Sequence, residues 1–369
     1  MYEYDERVVM TLDAGGTNFV FSAIKGCKPI IAPICLPATP DCLDSCLSTL
    51  VNGFKQVKAS LTQAPVAISF AFPGPADYEH QVIGDLPNFP AFRGGVALGL
   101  FLKEEFHIPV FINNDGNLFA YGEALAGTLP QLNRELETAG NPKRYKNILG
   151  ITLGTGFGAG VVIDGKLLTG DNGCGGDLWL MRNKKYRELI AEESVSVRAV
   201  RRIYGELSGE NIESLTPKDV FDIAEGMRSG NREAARKSFE ELGEVAGAAI
   251  VSALNIVDGI VVIGGGISKA AKYILPGMLH EMRQTLFTFS GDCFPCLQST
   301  VYDLTDQHER TQFLTNTTTY VQAPYTNKTV QYDCNKRIGV TISSLGASQA
   351  IALGAYAFAL QQIEQENKM

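Results

Sequence analysis

The sequence predicts an α/β protein of two domains. Its 369 residues exceed what one ordinary hydrophobic core organises, so two domains of roughly 150–200 residues each are expected. Strand-like runs of β-branched residues alternate with helical patterns, which is typical of mixed sheets flanked by helices. A strand, a glycine-rich turn and a second strand occur at residues 8–24 and again at 148–163, which indicates an internal repeat of pattern.

The N-terminal part begins with three short strands and then alternates between helices and strands. Strands are expected where β-branched or apolar runs lie between Gly, Asn and Pro, and helices where apolar residues recur at helical spacing. The expected strands are Val8–Leu12, Phe19–Ile24, Ile30–Ile34, Val66–Phe70 and Val110–Asn113, and the expected helices are Asp41–Ser60, Val96–Phe106 and Gly116–Ala126. Three antiparallel strands that lead into strand–helix–strand units predict a mixed sheet with helices packed on it.

The middle of the chain restarts this order, and the chain closes with a helix. The further expected elements are strands at Ile148–Leu153, Gly158–Ile163 and Ile260–Ile263, helices over Glu192–Val257 with breaks near Gly209 and at Ser229-Gly230, and a final helix at Gly346–Glu366. Residues 290–335 are rich in Thr, Gln, Asn and Tyr and are predicted to be an insertion of loops or short strands. The predicted domains are residues 1–115 together with about 346–369, and residues 116–345, which carry the insertion.

The charge and the apolar runs exclude several classes of function. A formal net charge of −8 argues against a nucleic-acid surface, because phosphate contacts need clustered Lys and Arg. The acidic N-terminus lacks the pattern of a signal peptide, and no apolar run approaches the roughly 18–20 residues of a membrane span. We therefore expect a cytoplasmic protein whose partners are neither nucleic acids nor membranes. The eight cysteines are expected to be reduced and mostly buried.

The first glycine-rich turn, Asp13-Ala-Gly-Gly-Thr17, directly follows an apolar strand and is predicted to bind phosphate. Gly15 and Gly16 allow the backbone to turn sharply and bring N–H groups close to a phosphate, and Thr17 adds a hydroxyl. Asp13 lies at the strand end, where it is placed to hold Mg²⁺ through water. A tight hairpin with the same residues and no ligand is the alternative.

Two further glycine-rich turns extend this prediction to a whole nucleotide. The turn within Leu153–Gly160 joins two strands, so it is not the dinucleotide fingerprint, and it lacks the Gly-Lys-Ser/Thr of a Walker loop. The turn Gly264–Gly266 ends a buried strand ahead of a helix, where adenine and ribose could lie against the backbone. Two phosphate turns, one in each domain, predict a nucleotide clamped between the domains. A glycine-rich hairpin and a close-packed strand–helix turn are the alternatives.

Asn113-Asn-Asp-Gly-Asn117 lies between a strand and a helix, and Asp115 at its centre is a candidate catalytic base. The carboxylate stands at the mouth of the predicted sheet with amides on both sides that could bind hydroxyls. Such a group can accept the proton of an alcohol as it attacks a γ-phosphoryl group. The alternative is that Asp115 merely caps the helix that follows, a role for which Asp is well suited.

In this order the four motifs resemble those of the ROK family (repressor, open reading frame, kinase), which includes bacterial glucokinases and N-acetylmannosamine kinases. The resemblance also covers Phe72–Pro75, Pro87–Pro90, Ser344–Ala347 and Ala350–Ala355, and it leaves out residues 290–335. It implies an α/β fold of two actin-like ATPase (ribonuclease H-like) domains, each a mixed sheet flanked by helices, that close over ATP and a small-molecule sugar. A homodimer is possible, because dimers are common in the family.

The resemblance implies a role for each matching residue, with ATP and Mg²⁺ as cofactors. Asp115 resembles the base that assists transfer of the γ-phosphoryl group to a hydroxyl of a hexose or N-acetylhexosamine. The residues that resemble sugar ligands are Gly74, Asn88, Asn114, Asp177 and Glu192. Those that resemble contacts of the nucleotide or of Mg²⁺ are Asp13, Gly15, Gly16, Thr17, Gly154, Thr155, Gly156, Gly264, Gly265 and Gly266.

The chain departs from the family pattern at the sugar end. Family kinases carry Gly-Glu-x-Gly-His where this chain has Gly175-Gly-Asp-Leu-Trp-Leu180, so Asp177 replaces the Glu with a shorter reach and the His is missing. Trp179, Arg182 or Asn183 could fill the gap, with ordinary core packing as the alternative for Trp179. The zinc-binding C-x-C-G-x-x-G-C of the family is also absent, so no structural zinc is expected.

Three alternatives keep this fold and change the function. Repressors of the family carry a winged helix-turn-helix ahead of the kinase-like part, whereas the phosphate turn of this chain begins at residue 11, which argues against a repressor. A non-catalytic sugar-binding sensor is suggested by the altered segment Asp177–Leu180 and opposed by Asp115. Polyphosphate could replace ATP as the donor, although Gly264–Gly266 favours ATP. The identity of the sugar stays open.

Overall fold

The computed structural model describes residues 2–14, 18–72, 74, 76–84 and 90–367. The chain forms two compact units. Unit 1 comprises residues 1–127, 160–176 and 345–369, and unit 2 comprises residues 128–159 and 177–344. Unit 1 therefore extends past the predicted boundary at residue 115, because the helix that begins there packs on the C-terminal helix of the same unit.

The strands and helices of the described residues follow the predicted alternation. The strands are β1 (Val9–Ala14), β2 (Asn18–Lys25), β3 (Lys28–Pro29), β4 (Ile34–Pro37), β5 (Ala67–Ala71), β6 (Ala76–Asp77), β7 (Val82–Ile83), β8 (Val110–Asn113), β9 (Ile148–Leu153), β10 (Phe157–Ile163), β11 (Lys166–Leu167), β12 (Ile260–Gly264), β13 (Thr285–Phe287), β14 (Cys293–Pro295), β15 (Thr300–Asp303), β16 (Thr319–Gln322), β17 (Thr329–Tyr332) and β18 (Arg337–Ile342). The helices are α1 (Leu43–Ser60), α2 (Leu98–Phe106), α3 (Asp115–Leu125), α4 (Thr128–Thr138), α5 (Val197–Ser208), α6 (Pro217–Glu225), α7 (Arg232–Val257), α8 (Ala271–Met282), α9 (Gln307–Leu314) and α10 (Ala347–Glu366).

Unit 1 contains a sheet of order β3-β2-β1-β5-β8, in which β4 also pairs with β2. β1 and β2 are antiparallel, whereas β1, β5 and β8 are parallel neighbours. On one face, a cluster of buried aromatic rings that includes Phe21, Phe54, Phe70 and Phe106 packs against α1 and α2. The carboxyl ends of the three parallel strands therefore meet at one edge of a rigid, well-packed sheet.

Helix α3 is held in place by close packing against α10. A methyl group at Gly122 would overlap the carbonyl oxygen of Ala350, and one at Gly354 would overlap that of Leu118. Because only glycine permits such an approach, the two helix backbones touch. The position of the first turn of α3, which begins at Asp115, therefore depends on this contact as well as on β8.

The second sheet has the order β11-β10-β9-β12-β18-β15. Its strands β9, β12, β18 and β15 are parallel, and all belong to unit 2. Strand β10 begins in unit 2 and is grouped with unit 1 from Gly160 onward. The predicted helix breaks near Gly209 and at Ser229-Gly230 are confirmed, since α5 ends at a left-handed Gly209 and α7 begins after residue 230.

Three sequence-based expectations are corrected by the structure. The segment 290–335 is not wholly an insertion, because β15 forms an edge of the second sheet in parallel pairing with β18. Helix α9 in the same segment was not expected, since it buries only Phe313 and so has almost no apolar periodicity. The third predicted strand, Ile30–Ile34, is replaced by the two shorter strands β3 and β4.

The cysteines are less buried than expected. Cys46 is buried, Cys27 and Cys296 are half-buried, and the other five are exposed; all eight are free thiols. Across the described part of the chain, every helix is too short or too polar to cross a membrane.

Candidate active site

The carboxyl ends of β1, β5 and β8 bring two predicted carboxylates to one edge of unit 1. In the strand register, Asp13 lies beside Ala71, and Ala71 lies beside Asn113. Neighbouring strands are about 4.8 Å apart, so the Cα atoms of Asp13 and Asn113 are separated by roughly 10 Å. Asp115 follows two residues later, close enough for the charge of Asp13 to raise its pKa.

Asp115 is the first residue of α3, but it does not cap the helix. The N-cap is Asn114, whose Oδ1 accepts hydrogen bonds from the backbone N–H groups of Gly116 (2.8 Å) and Asn117 (3.4 Å). One carboxylate oxygen of Asp115 accepts from Gly116 N at 2.8 Å, and the other has no hydrogen-bond partner among the described residues. The helix cap is therefore supplied by a neighbour, and Asp115 keeps an oxygen that can accept a proton.

The environment of Asp115 makes its carboxylate more basic than an ordinary one. The residue is exposed to solvent, yet protein atoms crowd around the carboxyl group. Desolvation is the largest cause that raises the pKa of Asp115, and the charge of Asp13 adds to it, while the hydrogen bond from Gly116 opposes both. A carboxylate whose pKa is raised in this way is a frequent feature of catalytic acids and bases.

Two buried amide side chains, those of Asn113 and Asn117, stabilise the turn between β8 and α3 next to Asp115. Asn113 Oδ1 accepts from the backbone N–H of Asn114 at 2.7 Å and from Asn117 Nδ2 at 3.0 Å. Both Asn113 and Asn117 are almost fully buried. Their mutual hydrogen bond holds the strand–helix turn, a role that the sequence did not reveal, while Asn117 Oδ1 is buried with no hydrogen-bond partner among the described residues. The only sequence signal is their spacing of four residues across the helix start.

Of the remaining predicted site residues of unit 1, the structure describes Gly74 but not the other four. Gly74 lies near Asn114, because a Cβ at Gly74 would be 3.7 Å from Asn114 Nδ2 and 2.9 Å from the hydroxyl of Tyr78. Tyr78 in turn donates a hydrogen bond to the carbonyl of Phe72 at 2.9 Å, which holds this loop. The other predicted contacts, which lie outside the described residues, are Gly15, Gly16, Thr17 and Asn88.

Asp13 fits the predicted role of a Mg²⁺ ligand. Its side chain is exposed at the strand end, and it has no hydrogen-bond or ion-pair partner among the described residues. A single free carboxylate that acts through water is a common way for proteins to hold Mg²⁺ beside phosphates. Within the described ranges, no group of three or more His, Cys, Asp or Glu side chains is arranged to bind a metal ion directly.

In unit 2 the second glycine-rich turn is pinned by Glu192. Its Oε2 accepts from the backbone N–H of Phe157 at 3.0 Å, and a Cβ at Gly156 would overlap the same oxygen. Its Oε1 lies 3.2 Å from a guanidinium nitrogen of Arg198. On the other side of the turn, a Cβ at Gly154 would meet no atom within 4 Å. One side of the turn is thus occupied by a carboxylate, and the other is open to a ligand.

The last glycine of this motif serves packing within unit 1. A methyl group at Gly160 would overlap the carbonyl oxygen of Gly116, in the first turn of α3. This close approach supports the helix start that carries Asp115. Neither Gly160 nor Arg198 was assigned a role from the sequence, because their partners are distant along the chain.

The turn Gly264–Gly266 has one structural glycine and one open glycine. Gly265 has a φ of +93°, and a Cβ there would overlap the carbonyl oxygen of Leu153. At Gly266 a Cβ would meet no atom within 4 Å. Backbone strain and close packing therefore explain Gly265, whereas Gly266 leaves free space at the end of β12.

The segment Asp177–Leu180, where the chain departs from the family pattern, is partly buried, although Asp177 itself is exposed. Desolvation raises the pKa of Asp177, and a hydrogen bond from Trp179 opposes the shift. Trp179 is half-buried rather than part of the core. The suggestion that Asn183 fills the gap is wrong, because this fully buried amide bonds to Ile190 O and Ser194 Oγ and accepts from two backbone N–H groups.

Comparison with known proteins gives consistent matches over most of the chain. The profile of the ROK family matches residues 9–301. The chain is 30% identical over 300 residues to a glucokinase of Thermotoga maritima, which covers 73% of this chain and 85% of that protein. A crystal structure of a glucokinase from Parabacteroides distasonis is 61% identical, with a TM-score of 0.88, over 98% of this chain and 99% of the other.

A more distant structure extends the likeness of fold. The ROK family glucokinase from Streptomyces griseus, crystallised in complex with glucose and AMPPNP, has a TM-score of 0.61 at 17% identity, over 95% of this chain and 98% of that one. Together with the structure of the Parabacteroides distasonis glucokinase, it confirms the predicted α/β fold class of actin-like ATPase domains.

Proposed function

The chain belongs to the ROK family, and on this premise we propose that it is a hexose kinase that transfers the γ-phosphoryl group of Mg-ATP to a sugar hydroxyl. The acceptor is proposed to be a hexose or an N-acetylhexosamine. One observation carries the proposal: Asp115 keeps an uncommitted carboxylate oxygen at the sheet edge while Asn114 caps the helix. Similarity to glucokinases over most of the chain supports the same reaction class.

In the proposed mechanism, the Asp115 carboxylate accepts the proton of the attacking sugar hydroxyl. The sugar oxygen forms a bond to the γ-phosphorus, the bond from the γ-phosphorus to the bridging oxygen breaks, and ADP leaves. The raised pKa of Asp115 makes it a stronger proton acceptor than an exposed aspartate. Buried Asn113 and Asn117 hold the helix start, so the base keeps its position during turnover.

The nucleotide is proposed to contact the glycine-rich turns. Free space at Gly154 and Gly266 allows a ligand to approach the backbone there. Mg²⁺, when bound, would supply positive charge that offsets the phosphate charge, and Asp13 is proposed to hold it through water. Gly15, Gly16 and Thr17 are proposed as further phosphate contacts on the basis of the family motif.

The sugar is proposed to contact Gly74, Asn88, Asn114, Asp177 and Glu192. Asn114 would act through Nδ2, because its Oδ1 caps α3. With ATP as the proposed donor, the enzyme is proposed to act in the cytoplasm, and a homodimer stays a prediction.

A panel of sugars tests the reaction. We expect ATP-dependent release of ADP with at least one of glucose, mannose, fructose, allose, N-acetylglucosamine and N-acetylmannosamine, measured in a coupled NADH assay. The same assay with polyphosphate in place of ATP tests the alternative donor. Binding of a sugar by calorimetry without ADP release would favour the non-catalytic sensor instead.

Two glycine variants test the nucleotide contacts. Gly154→Ala and Gly266→Ala each add a methyl group to open space, so the thermal unfolding temperature should be unchanged. If the nucleotide approaches these atoms, the KM for ATP should rise roughly tenfold or more, the scale of one lost contact. An unchanged KM for ATP in both variants would contradict the proposed nucleotide position.

A further inference from the structure

A cavity lies within unit 2, at the opposite edge of the sheet from Gly154 and Gly264. Its volume is about 700 Å³. The walls are the segment 143–147 ahead of β9, the end of α7, the segment 297–299 ahead of β15, and the start of β18. Because these segments precede their strands, the cavity lies at the amino ends of strands whose carboxyl ends carry the glycine turns. A strand of six residues separates the two edges by roughly 20 Å.

The lining of this cavity is cationic, although the chain is acidic. Five of its 14 lining residues are Lys or Arg, whereas 32 of the 369 residues of the chain are, so about one would be expected by composition. Asp258 is the one acidic residue of the lining. Arg337 does not add free charge, because its buried guanidinium donates to the carbonyls of Phe313 and Thr315 and pairs with Asp333.

Two of the ammonium groups are not balanced by a carboxylate. Neither Lys143 nor Lys336 forms an ion pair with any residue that the structure describes. Lys143 Nζ lies 5.4 Å from the ring centroid of Tyr145, which holds it at the cavity wall. Arg144 is partly committed, since it donates to two backbone carbonyls and lies 3.9 Å from Glu137.

The cavity also contains groups that would repel an anion, and some of these groups accept hydrogen bonds from the protein. The carboxyl end of α7 presents backbone carbonyls there, which would repel an anion. Asn147 Nδ2 donates to the carbonyls of Val257 and Asp258, at 3.1 and 3.4 Å, and so offsets that repulsion. The Asp258 carboxylate is the negative charge that is left in the lining. It offsets part of the positive charge of the lysines and arginines, and the lining keeps a net positive charge.

We propose that this cavity binds a small phosphate monoester, such as a sugar phosphate or a nucleoside monophosphate. A phosphate monoester carries a charge of about −1.5 to −2, which matches two unbalanced ammonium groups better than a monoanion does. Lysine binds phosphate as a compact point charge. The cavity is larger than phosphate alone requires and lies in the size range of small-molecule sites. Gln298 and Ser299 in the lining offer polar groups for the hydroxyls of the ester.

Lysine footprinting tests this site without relying on catalysis. Acetylation of each lysine is measured by peptide mass spectrometry with glucose 6-phosphate or AMP, against glucose or adenosine at equal ionic strength. We expect acetylation of Lys143 and Lys336 to slow at least about threefold with one phosphorylated probe, while Lys218 and Lys237 are unaffected. The probe that protects identifies the source of the phosphate. None of the residues proposed for the kinase reaction is a lysine, so a failure of the kinase proposal leaves this result interpretable.

Matched charge variants complete the test. Lys143→Gln with Lys336→Gln should weaken binding of the protecting probe at least tenfold in calorimetry. Lys218→Gln with Lys237→Gln removes the same charge from exposed ion pairs on α6 and α7 and should leave the affinity within twofold. The proposal is overturned if neither probe protects Lys143 and Lys336, if all four lysines slow equally, or if both double variants lose affinity alike.

Discussion

Asp115 in unit 1 and Glu192 in unit 2 are both carboxylates next to the end of a β-strand, but their surroundings differ. Asp115 accepts one hydrogen bond, from Gly116, while Asn114 takes over the cap of α3. Glu192 uses both oxygens, one on the N–H of Phe157 and one on Arg198. The same functional group therefore keeps one oxygen without a partner among the described residues in one unit and engages both oxygens in the other.

The difference lies in what the neighbouring residues supply. At Asp115, an adjacent amide satisfies the helix N-terminus, so the carboxylate is not consumed by the backbone. At Glu192, no nearer acceptor serves Phe157, so the carboxylate completes the turn. Under the proposed function, Asp115 would accept the proton, and Glu192 would support the second glycine-rich turn in addition to its proposed contact with the sugar.

The largest expected effect comes from Asp115→Asn. Loss of a general base typically costs about 10²–10⁴-fold in rate, so kcat should fall by that factor. The KM for the sugar should change by less than about threefold, because the amide keeps the shape of the side chain. Steady-state kinetics with the best sugar of the panel measure both values. Near-normal turnover would show that Asp115 is not the base. Asp115 and Glu192 would then no longer differ in their proposed roles.

The acid limb of the pH profile sharpens the same contrast. Because the pKa of Asp115 is raised, kcat/KM should begin to fall at a higher pH than an ordinary aspartate would dictate, about tenfold per pH unit below that pKa. The free energy of unfolding changes with pH in the opposite direction to the activity. The folded state holds the proton more tightly, so ionisation of Asp115 lowers stability as pH rises from the unfolded pKa to the raised one. Asp115→Asn should abolish this decline in thermal melts, and an identical pH dependence in the variant would contradict the assignment.

Gly160→Ala tests whether the position of Asp115 affects the rate, independently of its charge. The added methyl group would overlap the carbonyl of Gly116 and push the first turn of α3. A shift of the base by about 1 Å can cost on the order of 10²-fold, so kcat should drop by roughly 10- to 100-fold. Crystal or solution structures of the variant would show the displaced turn. A variant with normal kcat would mean that this packing contact does not position the base.

The smallest effects are expected at Glu192. Glu192→Ala removes the acceptor of the Phe157 N–H and should raise the KM for ATP roughly tenfold, the scale of one hydrogen bond to a charged group. Glu192→Gln keeps an oxygen that can accept the hydrogen bond from the Phe157 N–H, so it should raise the KM for ATP by less. Arg198→Gln, which breaks only the partly exposed ion pairs with Glu192 and Glu193, should alter the KM for ATP by less than about twofold. A selective rise in the sugar KM in all three would instead make Glu192 mainly a sugar ligand.

Much of the candidate site could be predicted from the sequence, because the signals of its motifs are local. Glycine runs after apolar strands, and an aspartate between a strand and a helix, are readable within a few residues. Contacts between distant residues were not readable. The bond from Phe157 to Glu192 spans 35 residues, and the burial of Asn183 depends on a loop that folds back on it. Both contacts exist only in the folded chain.

By itself the sequence determined the fold class, the family motifs and the order of most strands and helices, because these depend on residue periodicity and on the conformational freedom of glycine. Only the tertiary structure decided that β15 joins the second sheet, that α9 forms, and which carboxylate is left free. Parallel strand pairing and hydrogen-bond competition are set by groups that meet only after the chain has folded.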